Sequence, residues 1–324
     1  MGKLVKLLSL CALFLVHGCA TVKQPEVRII DDKLPQISKA VAIEEKSSKT
    51  GLKRKVAIAR FSNETKYGQS FFLDKDNDRI GKQAVDILSS KLLETDKFIL
   101  LERADLEKIN KELSMENYSP LKNMADYLII GSVTEFGRKD TGEVGIFSRT
   151  KKQTASAKVT VRLVDVYNGQ IIYSEEGQGE AFSEVGTVFG AGAQAGYDTT
   201  LNDKALGAAI TNLSSNIIEN LLNKPWRGFI LAHEDNSLII SGGTSQNINP
   251  GDMFDVIQNG KKIKNPQTNM YITLPGKKVA IIKAISSTGD NPANEVTFCE
   301  ILDGDLSTYI AEGNFTNLHI REIQ

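Results

Sequence analysis

The stretch "KVTVRLVDVYNGQIIYSEEG", Lys158 to Gly177, constrains the fold more than any other part of the chain. Val159, Val161 and Leu163 alternate with Lys158, Thr160 and Arg162, the period-two pattern of a strand with one buried face. Asn168-Gly169 then predicts a two-residue hairpin turn into "QIIYSEEG". A hairpin with one apolar face needs a cover, and the next periodic segment supplies one. Leu206, Ile210, Leu213, Ile217 and Leu221 form a single stripe on a helix expected over Asp203 to Leu222. Sheet and helix together predict a layered α/β sandwich.

Upstream, the pattern repeats. "KVAIARF" (Lys55 to Phe61) reads as an apolar strand, followed by a long polar loop, "NETKYGQSFFLDKDND". A helix follows, with Ile80, Ala84, Ile87, Leu88 and Leu92 at helical spacing. "FILLE" (Phe98 to Glu102) and "YLIIGSV" (Tyr127 to Val133) are further strands, separated by a helix over Ala104 to Leu113 with Leu106, Ile109 and Leu113 on one face. From Pro225 the texture changes to short strands broken by Gly, Pro and Asn, which predicts a small all-β barrel or sandwich over 225–324. The boundary falls at Lys224-Pro225.

The N-terminus is an address. Lys3 and Lys6 form a positive n-region and Leu7 to Val16 an apolar h-region of signal-peptide length. Val16-His17-Gly18-Cys19 resembles a bacterial lipobox, with His17 in a slot where a small residue is usual. This predicts a signal peptide over 1–18 and lipid on Cys19, each buried CH₂ contributing ~0.8 kcal/mol of membrane affinity. Ala20 stands where an inner-membrane retention signal would place Asp, so the expected location is the outer membrane, facing the periplasm. Residues 19–54, polar and without sustained periodicity, read as a lipidated tether with room for a docked segment. No apolar run reaches the ~20 residues of a membrane-spanning helix.

Composition excludes several function classes. Formal net charge is -1, which gives no electrostatic reason to expect nucleic acid as a partner. Of the three cysteines, Cys11 and Cys19 lie in the leader region and Cys299 stands alone, a buried small hydrophobe by default. His17 lies in the leader, while His233 and His319 are isolated in the C-terminal module. "DKDND" (Asp74 to Asp78) has the start of a calcium loop but lacks its glycine and terminal glutamate, and reads as a solvated acidic turn. "GTVFGAGAQAG" has glycines but no Lys-Ser/Thr pair to hold a phosphate. We expect no enzyme, no metal and no cofactor.

Taken in order, "VAIARFSNET", "FILLERADLEKINKE", "ADYLIIGSVTEFG" and "VTVRLVDVYNGQIIYSEEGQGE" resemble the CsgG family over about Lys55 to Leu222. The best-known members are outer-membrane lipoproteins that form the secretion channel for curli subunits. Others activate peptidoglycan synthases or assist flagellar assembly. "NINPGDMFDVIQNGKKIKNPQTN" resembles the SH3-like C-terminal module of flagellar assembly lipoproteins, which the curli channel lacks.

The resemblance implies an α/β domain over 55–224, with β-hairpins at about 134–158 and 173–202 able to join an oligomeric β-barrel. It implies a homo-oligomer ring, a secreted unfolded polypeptide as cargo, and accessory assembly proteins as partners. The loop after the first strand corresponds to the channel constriction, and by position Tyr67, Phe71, Phe72 and Asn77 are its candidates.

A spanning strand needs ~9–11 residues with one face apolar. In the second window Val185, Phe189, Ala191, Ala193 and Tyr197 would form the lipid face. The first window carries Arg138, Lys139, Asp140, Glu143, Arg149, Lys151 and Lys152, and suits lipid poorly. The expectation divides between an export channel, narrowly favoured, and a non-pore periplasmic module serving cell-wall or appendage machinery.

Overall fold

The structure is a computed structural model, and it describes residues 26–29, 51–65, 78–115, 124–144, 148–188 and 200–323. Cys19, the constriction candidates Tyr67, Phe71, Phe72 and Asn77, and Phe189, Ala191, Ala193 and Tyr197 lie outside the described residues.

The first unit is a six-stranded sheet covered on one face by two helices. In chain order its elements are β1 (Glu26–Ile29), β2 (Arg54–Asn63), α1 (Arg79–Glu94), β3 (Phe98–Leu101), α2 (Leu106–Met115), β4 (Tyr127–Val144), β5 (Ser148–Asp165), β6 (Ile171–Val188) and α3 (Thr200–Leu222). The sheet order is β1-β6-β5-β4-β2-β3, with β2 parallel to β3 and β4 and the other pairs antiparallel. The expected docked segment of the tether is β1, which joins the sheet edge opposite Gly179 to Phe182.

The helical stripe sits where the spacing put it. Leu206, Ile210, Leu213, Ile217 and Leu221 are fully buried, in one cluster with Val159, Val161 and Leu163 of β5 and with Ala84, Leu88 and Leu92 of α1. The helix begins at Thr200, three residues earlier than the stripe implied, so residues 200–202 of the second hairpin window are helical. The close fit of α3 on β6 depends on two glycines. A Cβ on Gly177 would lie 2.3 Å from the Ala209 carbonyl oxygen, and one on Gly179 2.3 Å from the Ala209 nitrogen. Both neighbours are backbone and cannot swing away.

Two expectations need correction. The Asn168-Gly169 turn is not a two-residue hairpin loop: β5 ends at Asp165, β6 starts at Ile171, and only Gly169 has positive φ, at 71°. The type I′ turn that Asn-Gly favours needs positive φ at both central residues. Here Asp165 accepts from the Tyr167 amide at 2.9 Å, and the Gly169 amide donates to the Asp165 carbonyl at 2.8 Å, which rounds the loop out. Asp78 is not part of a solvated turn: it is the N-cap of α1, accepting from Gly81 N at 2.8 Å and Asn63 N at 2.7 Å. Helix α2 forms at its expected place, with Leu106, Ile109 and Leu113 half-buried along one face.

The second unit is a barrel. Its strands are β7 (Arg227–Gly228), β8 (Ile230–Glu234), β9 (Ser237–Ser241), β10 (Met253–Gln258), β13 (Lys277–Thr288), β14 (Val296–Gly304) and β15 (Leu318–Glu322), in sheet order β7-β15-β10-β13-β14-β9-β8. Only Phe229 separates β7 from β8, so one bent strand pairs with β15 at one end and β9 at the other, closing the cylinder. A short two-stranded ribbon, β11 (Lys262–Lys264) with β12 (Tyr271–Thr273), stands apart, and a one-turn helix, α4 (Ser307–Glu312), follows β14. Trp226 and Phe254 fill the centre with ring centroids 5.4 Å apart, and Cys299 is fully buried beside them. Burial pushes the Cys299 thiol up to about 12, consistent with an inert packing residue.

Two glycine substitutions test the helix-on-sheet contact. Gly179→Ala should destabilise by about 1–3 kcal/mol, since the methyl must lift α3 from β6. Gly207→Ala, in the same helix with nothing within 4 Å of the added carbon, should stabilise by about 0.5–1 kcal/mol. Thermal unfolding of the two variants should move in opposite directions.

Candidate functional site

Two regions place polar side chains in defined geometry: the ribbon made by β4, β5 and β6, and the junction between sheet and barrel.

The ribbon is one continuous ladder. β4 pairs with β5 from Tyr127↔Asp165 to Val144↔Arg149, and β5 with β6 from Val164↔Ile171 to Ser148↔Val188. The first expected hairpin is therefore present, as the outer part of two core strands. Its helix-side face remains buried far along: Val159, Ala157 and Ala155 of β5 and Ala181 of β6 lie in the cluster that holds Leu201 and Ala205 of α3, and Gln153 and Ser183 are buried beyond them. Among the described residues, Lys139–Val144, Ser148–Lys152 and Glu184–Val188 carry the ladder on past those positions.

Neither face of the ribbon is apolar. Glu135, Gly137, Lys139 and Thr141 share one face with Lys152, Thr154, Ser156 and Lys158. There Lys158 bridges Glu176 at 3.0 Å and Glu135 at 3.2 Å, and hydrogen bonding to those carboxylates raises its ammonium above the usual lysine value. Lys152 sits 4.4 Å over the Phe182 ring. On the other face Arg138 donates to Gln153 at 2.7 Å. Of the proposed lipid-face residues, Val185 lies in β6 opposite Lys151, and the strand's preceding residues on that side, Ala181 and Ser183, are buried against the protein's own body.

The junction is built around Arg54, 5% exposed at the start of β2. Its guanidinium donates to the carbonyls of Leu52 (2.8 Å), Leu222 (3.0 Å) and Lys224 (2.6 Å) and to the Glu322 carboxylate of β15 (2.9 Å). It thus satisfies carbonyls left open at the C-terminus of α3 and pins the last barrel strand to the sheet. Glu322 also accepts from the Trp226 amide at 3.0 Å.

Beside it, Asp126 accepts from Lys55 N at 2.8 Å and from the Tyr167 hydroxyl at 2.9 Å. The Tyr167 ring packs 5.8 Å from Phe229 and lies 5.2 Å from the Arg227 guanidinium, which reaches Asp165 at 3.5 Å. Burial raises the Asp126 carboxyl and pushes the Tyr127 phenol up to about 12; the Tyr167 phenol is raised further, again chiefly by burial.

Sequence reasoning missed this junction. Arg54 was one basic residue in a basic tether, and Asp126 one acid before an apolar strand. Among the described residues no group of three His, Cys, Asp or Glu side chains could hold a metal ion. His319 bonds Asn259 at 2.7 Å, and burial lowers its imidazole pKa.

A layered α/β domain with an extended ribbon, joined to a closed β-barrel, defines the class of protein. A family model described as curli production assembly/transport component CsgG matches residues 36–250, and the chain belongs to the CsgG family. The match passes the Lys224-Pro225 boundary into the barrel. The Neisseria meningitidis serogroup B protein NMB1126/NMB1164, named as a lipoprotein, is 34% identical over 180 residues, 55% of this chain and 80% of that one. Solved structures with similarity include the PelC dodecamer from Paraburkholderia phytofirmans (16% identity, 59% of this chain and 97% of that one, TM-score 0.24). The LpoB C-terminal domain from Escherichia coli is another (16% identity, 44% and 93%, TM-score 0.23).

The raised Asp126 carboxyl yields a pH prediction. Because its folded value lies above the unfolded one, the stability it lends is full below about pH 4 and drains away as pH rises through the folded value. Asp126→Asn, which occupies the site without titrating, should lack that decline. Chemical denaturation of both proteins from acid to neutral pH should show the wild type losing stability relative to the variant as pH rises.

Proposed function

We propose that this protein is an envelope lipoprotein held at the outer membrane by lipid on Cys19. It serves as a non-catalytic assembly or activator module for cell-wall or appendage machinery and does not form a pore. Membership of the family and a relative named as a lipoprotein support the envelope placement. The observation that carries the non-pore reading is the ribbon, which among the described residues has charged side chains on both faces and a helix-side face buried as far as Gln153 and Ser183. Arginine or lysine on a lipid face at mid-bilayer costs ~2–4 kcal/mol, and Lys139 and Arg138 lie on opposite faces of the same strand. Turning either face to lipid would expose one of them. A water-facing ribbon has no such cost.

The export-channel reading requires strands that each copy can commit to a shared wall. Here Ala155, Ala157 and Ala181 of those strands are packed in the copy's own core with the helix. What remains is a sheet and a barrel joined at Arg54, on a lipid tether.

Full-length protein reconstituted into planar bilayers should give no discrete conductance steps, while Cys19→Ala should lose its acyl mass and leave the outer-membrane fraction. Reproducible steps that change with substitutions in the 66–77 loop would instead establish the channel. Retention of Cys19→Ala in the outer membrane would remove the lipid anchor from the account.

A further inference from the structure

The barrel carries an arm. Between β10 and β13 the chain makes one long excursion, and its pairing never changes register. Ile257↔Lys278 and Gln258↔Lys277 at the barrel wall continue as Lys262↔Thr273, Ile263↔Ile272 and Lys264↔Tyr271 in β11 and β12. The Leu274 amide donates to the Lys261 carbonyl at 3.0 Å between these sets, and Asn265 N donates to the Met270 carbonyl at 2.8 Å near the tip. At about 3.3 Å per residue, the ribbon stands roughly 20 Å off the barrel.

Among the described residues, nothing covers it. Ile263 (46%), Met270 (68%), Tyr271 (69%), Ile272 (48%) and Leu274 (42%) are all exposed. A two-stranded ribbon is marginal alone in water, and an exposed apolar ribbon invites association. The faces differ: Ile263, Met270, Ile272 and Leu274 lie on one, and Lys262, Lys264, Tyr271 and Thr273 on the other.

Charge indicates the occupant. From Gln258 to Lys278 there are five lysines and no acidic residue. The rest of the 225–324 module is the reverse, with eleven acidic residues against Arg227, Lys283 and Arg321. On the barrel wall the end of β14 presents Glu300, Ile301, Leu302 and Asp303, all exposed, an apolar pair between two carboxylates. A planar bilayer would meet only one face of the arm, leaving either the apolar side or the lysines in water. A protein edge can meet both.

The geometry points to a second copy of this chain as the occupant: the 259–276 arm of one copy clasps the β14 end of the next. The contact is head-to-tail, so copies close into a ring if the rotation permits and otherwise extend as a filament. This inference adds a partner to the proposed module and does not depend on whether that module forms a pore.

Glu300 already pairs with Lys283 at 3.1 Å, so the test reverses Asp303. Full-length protein in detergent is sized by light scattering across concentration, alongside Lys262→Glu/Lys264→Glu and Asp303→Lys. Each variant alone should associate about tenfold or more weakly than wild type, because like charges then face each other. Mixing the two should restore assembly, since each arm then meets an opposite charge on the other variant's barrel. A folding defect would not be rescued by mixing. A wild type that stays monomeric, variants that assemble as well as wild type, or a mixture that stays apart would each overturn the proposal. So would an arm that becomes protected from a thiol reagent at Tyr271→Cys only when anionic vesicles are added, which would assign it to lipid.

Discussion

The architecture rests on how closely α3 lies on β6. Gly177 and Gly179 let the helix backbone approach to a distance that any Cβ would prevent, with Ala205, Ala208 and Ala209 on the helix side. Small residues on both surfaces exchange side-chain volume for close contact, and dispersion falls off steeply with separation. That approach carries the first turns of α3, with Leu201 and Ala205 fully buried, out over the ribbon. As far as Ala155 and Ala181, that face of β5 and β6 is thereby committed to the protein's own core.

The same constraint reconciles the family with the chemistry of this member. The family supplies long strands, and β4, β5 and β6 are each 18 residues long. Length alone does not make a membrane strand, because lipid requires an uninterrupted apolar face. Lys139, Lys152 and Lys158 on one side, and Arg138, Asp140 and Gln153 on the other, give this ribbon the character of a water-facing surface.

Legibility in the sequence followed periodicity. The α3 stripe and the Val159, Val161, Leu163 alternation were readable because period and burial coincide over many residues. The barrel was readable as texture, though not its closure, which depends on one bent strand around Phe229. The Asn-Gly dipeptide misled because Asp165 and Tyr167 form competing bonds to the loop and sheet. Arg54 and Asp126 were invisible for a different reason: their partners are 268 residues away at Glu322 and 41 away at Tyr167, and no local pattern announces such contacts. Asp78 did have a local signal, an acid just ahead of the helical stripe. The arm was visible as a lysine-rich run, but its isolation from the rest of the barrel required coordinates.

Hydrogen exchange over residues 200–210 of the membrane-bound protein tests most directly whether α3 stays on the ribbon where it matters. If the helix holds the ribbon as described, those amides exchange as slowly in lipid vesicles as in detergent-free solution. Rapid exchange there on membrane binding, with new protection over 139–152, would mean that the ribbon has left the body for the bilayer, and the account would fail.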